Sequence, residues 1–367
     1  MIISFLINFI LGYQFYNFLY YLVNRYELIL LSFVFVGTKL LKTKKYKKVQ
    51  TKINKNFISI IVPAKNEEGN IEKTLNGLKS IEYNKELYEI IIVNDNSTDN
   101  TLQILNDLNL PSNFKIVNRE RKTGFVAGVL NDGIKSISDK SDVIGIIDSD
   151  TIPTKNILKV IDNYFIEGFK GAVQPQEWHY NNKDSVLTRS QHILCIYENY
   201  QNIDECKFKI GHFYSTDIVN NLKYNENSIL EDVEMSVEIK KNFEIIPIKD
   251  VLVYRTFHNN IKSIYSQQYR YQLGSIMYAY KNKFFLDDMI IPMVLFFNLI
   301  SIPYIGILNF IKFNVIIFLI IFNLVYYSLG KHFRSSYLEA ISNCPNELVD
   351  IVLKQDKYNL IDIFYAT

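Results

Sequence analysis

The chain has 367 residues, enough for one large domain of roughly 250 residues plus attachments, since single cores seldom grow further. Its 40 basic and 38 acidic residues leave a formal net charge of +2, so no global field argues for nucleic acid as a partner. The three cysteines, Cys195, Cys206 and Cys344, stand apart, and neither they nor the five histidines show disulfide or zinc spacing.

Apolar residues are concentrated at the two ends. Residues 1–23 form one run, with Asn8, Gln14 and Asn17 as polar interruptions, and 26–41 form a second. Residues 289–310 and 314–329 form two more, parted by Lys312. A membrane-crossing helix needs about 20 apolar residues, so 1–41 is expected to hold one or two spans and 289–330 a transmembrane hairpin. The first run lacks the basic start and small-residue cleavage site of a secretory signal. A buried core helix is the alternative for the C-terminal runs. Lysines crowd the linker 42–56, and Lys331 and Arg334 follow the last run. Basic flanks of this kind place the polar middle, 57–260, and the tail, 331–367, in the cytoplasm, with the linker against anionic headgroups.

The middle alternates strands and helices. "FISIIVP" (57–63), "YEIIIVN" (88–94), "FKIVN" (114–118), "VIGIID" (143–148) and "GAVQP" (171–175) read as strands. Ile71, Leu75 and Leu78, then Leu102, Leu105 and Leu108, repeat at helical spacing. The alternation implies an α/β domain with parallel pairing. "AKNEEGN", "DNSTDN" and "DSDT" each follow a strand, which puts three acidic segments on one edge of the sheet beside helix N-termini that favour phosphate. Each has a plainer explanation as a turn or helix cap. The two carboxylates of Asp148 and Asp150 repel each other unless a cation sits between them, and oxygen ligands suit Mg²⁺ or Mn²⁺.

These strings resemble the nucleotide-sugar domain of family 2 glycosyltransferases, and in particular its membrane-embedded members. "IIVPAKNEEGNI" is similar to the family's opening motif, which implies nucleotide-sugar contacts for Ala64 and Glu67. "IIVNDNSTDNT" resembles the second, with Asn94 in place of its first aspartate and Asp95 as the implied nucleoside contact. In "RKTGFVAGVLNDGI" Val126 stands where the family has a diphosphate-binding lysine, so Lys122 or Arg121 is the substitute. "DSDT" matches the metal-binding Asp-x-Asp. "ILEDVEMSVEIKK" resembles the segment that supplies the base, with Leu230 in place of threonine. "QQYRY" resembles the Gln-x-x-Arg-Trp signature of cellulose, chitin and hyaluronan synthases and of ceramide glucosyltransferase, with Tyr271 for the tryptophan. The resemblance covers roughly residues 57 to 275. It implies a GT-A fold, a Rossmann-like mixed sheet, flanked by transmembrane helices, with amphipathic interface helices over 261–288.

Sugar transfer from a nucleoside diphosphate passes an oxocarbenium-like transition state and releases a charged diphosphate, which a divalent cation neutralises. Asp150 is the expected metal ligand, and Asp148 contacts metal, ribose or donor sugar. The acceptor hydroxyl needs a carboxylate to take its proton, and Asp232 is the candidate. Glu231 is the candidate acceptor contact, although Ser228 and Glu231 also spell a capping box. Arg270 offers a planar fork for a phosphate oxygen, and Gln267 lies one turn before it. Tyr271 is a platform for the acceptor sugar, or one of several aromatics of an interface helix. Trp178 reads more readily as packing than as a platform.

The expectation is a membrane-bound, inverting, metal-dependent enzyme that takes a UDP-sugar in the cytoplasm. The acceptor is a growing polysaccharide or oligosaccharide, or else a lipid such as a ceramide or polyprenyl phosphate. Few spans make a narrow conduit for a polymer unless the protein dimerises. An inactive scaffold is the non-enzymatic alternative.

Overall fold

The computed structural model describes residues 56–120, 123–166, 168–181, 184, 185, 187–189, 191, 192, 195 and 208–282. Eight strands form one sheet in the order β3-β2-β1-β4-β7-β6-β8-β5. The first four are β1 (Ile58–Ala64), β2 (Tyr88–Asn94), β3 (Phe114–Asn118) and β4 (Val143–Ile146). They pair in parallel, so their carboxyl ends share one edge. The sequence expectations for these four strands hold to within two residues at every end.

Both faces of β1, β2 and β4 are covered, which is why these strands read as nearly unbroken apolar runs, while the edge strand β3 is part-exposed. On one face Ile58, Ile60, Val62, Ile90 and Ile92 pack against Ile71, Leu75 and Leu78 of α1 (Ile71–Lys79) and Leu105 of α2 (Thr101–Asp107). On the other, Ile61, Ile91 and Val93 meet Ala127 and Leu130 of α3 (Phe125–Ile134) and Met235 and Ile239 of α6 (Glu231–Lys240). Each fully buried Ile or Leu contributes about 1.5–3 kcal/mol relative to exposure.

The second half departs from the parallel expectation. β7 (Phe213–Ser215) runs antiparallel to both β4 and β6 (Gly171–His179). β8 (Glu244–Arg255) is parallel to β6 and antiparallel to β5 (Ile152–Pro153). Two of these strands are too short to leave a sequence pattern, and β8 carries Pro247, Lys249 and Asp250 where its pairing slips register. The short helices α4 (Ile157–Asp162) and α5 (Thr216–Val219) follow β5 and β7, and α7 (Ile261–Asn282) follows β8.

Two compact units divide the chain: Met1–Thr43 with Ser275–Lys331, and Lys44–Gly274 with His332–Thr367. The α/β sheet belongs to the second. Among the described residues no helix is long and apolar enough to cross a membrane. The apolar runs 1–23, 26–41, 289–310 and 314–329, most of the basic linker and the tail 331–367 lie outside the described residues.

Candidate active site

The loops after β1 and β2 are laced to each other. The Asn66 side-chain oxygen accepts the Thr98 amide at 2.8 Å, Thr101 Oγ1 accepts the Glu67 amide at 2.7 Å, and Glu68 accepts the Asn100 amide at 3.0 Å. Asn66 and Asn96 hold positive φ of 56° and 52°, a region asparagine tolerates, so both loops turn sharply at the sheet edge. The Ala64 carbonyl accepts the Asp95 amide at 2.8 Å, so this oxygen already joins the two loops. Asn94, standing where the family has an aspartate, spans Asn118 and the Ser97 amide.

Asp95 is buried between two cations, with Arg119 at 2.6 Å on Oδ1 and Lys65 at 2.8 Å on Oδ2. Burial alone would raise its carboxyl, but the hydrogen bonds from Lys65 and Arg119 hold it below the usual range. Arg119 also donates to Asp132 at 2.8 Å and to the Thr123 carbonyl. It was not anticipated: nothing near Arg119 in the sequence marks it as the partner of an aspartate one strand away.

Asp148-Ser149-Asp150 follows β4 at the same edge. The Thr151 amide donates to the Asp148 carbonyl at 3.1 Å, and Thr74 Oγ1 of α1 donates to the Ser149 carbonyl at 2.8 Å, which pins the turn from two sides. Burial, the neighbouring Asp150, and Asp232 and Glu177 push the Asp148 carboxyl well up, against the pull of Arg255. Burial also raises Glu67, with Asp150 adding to it, so the first and third loops meet as anticipated. Glu67, Asp148 and Asp150 present carboxylate oxygens only, the donor set of a hard divalent cation.

α6 brings its first turn to this edge. The Ser228–Glu231 capping box does not form: the helix starts at Glu231 behind Leu230, and Ser228 Oγ accepts the Leu230 amide at 3.1 Å. Capping therefore does not account for Glu231. Its carboxyl is raised to about 8 by burial, then by Asp232 and Asp148, with Arg270 opposing. Burial raises Asp232 as well, while the Val233 amide, 2.7 Å from Oδ1, and Arg270 pull it down. On α7, Arg270 stands 5.6 Å from the Tyr271 ring centre, and Gln267 Nε2 reaches the Tyr271 hydroxyl at 3.5 Å. Gly274, one turn on, lies so close to Leu230 that an added Cβ would be 2.5 Å from its Cγ. That contact sets α7 beside the start of α6.

Asp148, Asp150, Glu67, Asp232, Glu231, Arg270 and Tyr271 thus gather around one edge. Asp95 sits in its own ion-pair cluster, Gln267 joins the group through the Tyr271 hydroxyl, and Lys122 lies outside the described residues. Trp178 is buried edge-on to His192 at 4.4 Å, so it packs and offers no sugar platform. Arg255, the last residue of β8, was also missed. Tyr254 pairs with Ile152 and Arg255 with His179, which sets the guanidinium level with the Asp148 turn, where Asp150, Glu177 and Asp148 stabilise its charge. Only the register of a strand unread in the sequence brings it there.

A mixed sheet with an acidic turn at the carboxyl edge of its parallel half defines a GT-A-like glycosyltransferase fold. The fold is shared with a mannosyltransferase from Pyrobaculum calidifontis solved with GDP-Man and Mn²⁺, at a TM-score of 0.55 and 14% identity over 90% of this chain and 87% of that one. Residues 59–227, a little under half of the chain, match the model of glycosyl transferase family 2. A poly-beta-1,6-N-acetyl-D-glucosamine synthase of Staphylococcus epidermidis is 37% identical over 145 residues, 37% of this chain and 32% of its own. A beta-monoglucosyldiacylglycerol synthase of Synechocystis is 33% identical over 136 residues, 36% of this chain and 28% of its own. The chain spans half or less of the length of the curated relatives it matches.

Proposed function

We propose that the protein transfers a sugar from a UDP-sugar to a growing polysaccharide or oligosaccharide, with inversion, at the edge formed by Asp148, Asp150, Asp232 and Arg270. The observation that carries the reading is the approach of Asp232 and Glu231 of α6 to Asp148, with Arg270 beside both. A base and a phosphate-seeking cation then flank the carboxylates that would hold the donor.

Asp150 and Asp148 would hold Mg²⁺ or Mn²⁺, which when bound neutralises charge on the departing diphosphate. Arg270 presents its fork to a phosphate oxygen. Ala64, Glu67 and Asp95 line the donor's nucleoside side, and Asp95 is kept ionised and rigid by Arg119 and Lys65. Asp232 takes the acceptor hydroxyl proton as that oxygen bonds to the anomeric carbon, while the carbon–oxygen bond to the diphosphate breaks and UDP leaves with its electron pair. Burial makes this carboxylate more basic than a solvated one, as a general base requires. Tyr271 and Glu231 border the acceptor side. The apolar runs beyond the described residues fit an integral membrane protein whose catalytic domain faces the cytoplasm.

The likeness to the beta-monoglucosyldiacylglycerol synthase favours a second reading, with a lipid hydroxyl as acceptor. Incubating the purified full-length protein with a panel of UDP-sugars and Mn²⁺ separates the readings. Release of UDP that rises with oligosaccharide, and products that lengthen on a gel, are expected. Transfer to diacylglycerol alone supports the lipid reading, and no nucleotide release from any UDP-sugar overturns both.

A further inference from the structure

We propose that Glu177, His179 and Cys195 form a second metal site, for a borderline-soft divalent cation of the zinc class. Glu177 and His179 are two apart on β6, so their side chains leave the same face of the sheet. Cys195 approaches from the short helical stretch beyond. Its Sγ is 3.5 Å from Glu177 Oε1, and His179 Nε2 is 3.8 Å from Glu177 Oε2. One ligand atom from each residue lies within 4.8 Å of the other two. Tetrahedral zinc, with bonds of about 2.0–2.3 Å, sets neighbouring ligands roughly 3.3–3.8 Å apart, so the three need to close by about an ångström at most.

The surroundings suit such an ion. His179 and Cys195 are buried, and the imidazole stacks on Phe257 at 3.5 Å and 8°, which fixes the plane of its ring. Burial keeps that imidazole neutral, as a ligand must be. On binding, the thiol gives up its proton to solvent, and thiolate plus carboxylate cancel the two positive charges of the ion. The loaded site is therefore neutral, one unit more positive than the empty one, and so cancels the Glu177 carboxylate that Arg255 and Asp148 both feel. Arg255 alone would account for the charge of Glu177, but not for a thiol and an imidazole gathered around the same carboxylate. The sulfur and nitrogen donors select a softer ion than the all-oxygen set at Asp148 and Asp150. Three protein ligands leave the fourth position open.

The test is cobalt substitution in the full-length protein after chelation. One equivalent of Co²⁺ is expected to give tetrahedral d–d bands and a thiolate-to-cobalt charge-transfer band, displaced by one equivalent of Zn²⁺. Cys195→Ser and Glu177→Gln should abolish the tight equivalent, while Asp150→Asn keeps it. Absence of a thiolate band overturns the proposal, as does a band that survives Cys195→Ser, since Cys206 or Cys344 would then be its source. Should Cys195→Ser fail to fold, X-ray absorption of the zinc-loaded parent protein decides: a shell with one sulfur supports the site, and one of oxygen and nitrogen alone overturns it. No sugar transfer is measured, so the outcome is independent of the donor and acceptor assignments.

Discussion

Arg119 is the side chain whose removal should cost the fold most for its size. Its guanidinium is 2% exposed and bridges Asp95, 9% exposed, and Asp132, 17% exposed. Arg119→Met leaves Asp95 and Asp132 with only the exposed Lys65 and Lys135 as partners, which puts the loss at the low end of the range for a broken buried pair, about 3 kcal/mol. Lys65 touches the same aspartate, but its side chain is 61% exposed, so Lys65→Met should cost only about 0–1 kcal/mol. Trp178 is the sole tryptophan and is buried in β6, so its fluorescence during urea denaturation reports this unit directly. Asp95→Asn added to Arg119→Met should recover part of the loss, because the buried charge that Lys65 alone would have to balance disappears. The folded carboxyl of Asp95 lies below its ordinary value, so its contribution is present above about pH 4 and fades as pH falls further. The gap between wild type and Arg119→Met should therefore narrow in acid. If Arg119→Met costs no more than Lys65→Met, the buried bridge does not hold these strands.

Asp232→Asn and Asp150→Asn should each lower nucleotide release by about 10²–10⁴-fold without lowering the urea midpoint, and normal turnover in both would remove the catalytic assignment. Burial lowers His212 to about 4 from 6.5, so the unfolded chain binds a proton across that window while the folded one does not. At about 1.36 kcal/mol per pH unit, wild type should lose about 2–3 kcal/mol more than His212→Gln between pH 6.5 and pH 4, and parallel pH–stability curves would count against this. Gly274→Val should displace α7 from Leu230, carry Arg270 and Tyr271 away from Asp232 and cut turnover. Leu230→Ala in the same chain should restore part of it, and turnover unchanged in Gly274→Val alone would show that this contact does not position the helix.

The half of the sheet that holds Asp95 and Asp148 was legible because β1, β2 and β4 are buried on both faces and the edge strand β3 keeps Phe114, Ile116 and Val117 among the apolar contacts. "YEIIIVN" and "FKIVN" fall on β2 and β3 residue for residue. β8 was not, because Pro247, Lys249 and Asp250 interrupt the pattern and its partner β6 accommodates them with slips in register. Arg119 and Arg255 stayed hidden for a related reason. Each finds its carboxylates through strand pairing, and no local spacing encodes that. The Ser228–Glu231 pattern misled in the opposite sense: local spacing spelled a cap, yet the helix begins at Glu231 itself. Glu177, His179 and Cys195 show the same limit, since a strand and a distant helical stretch meet only in the folded chain.

β8 also gives the molecule an order of assembly. β1 to β4 pair among residues 58 to 146, whereas β8 must reach back from Tyr254 to Ile152 and from Arg255 to His179. The closures are of similar length, 85 residues from Ile58 to Val143 and 76 from His179 to Arg255, so it is the order of synthesis that separates them. A chain leaving the ribosome can build the Asp148 turn well before the strand that brings Arg255 exists. Until that strand arrives, Asp148, Asp150 and Glu177 lack its guanidinium, so the charge of this edge is balanced only once the last strand of the sheet has been made.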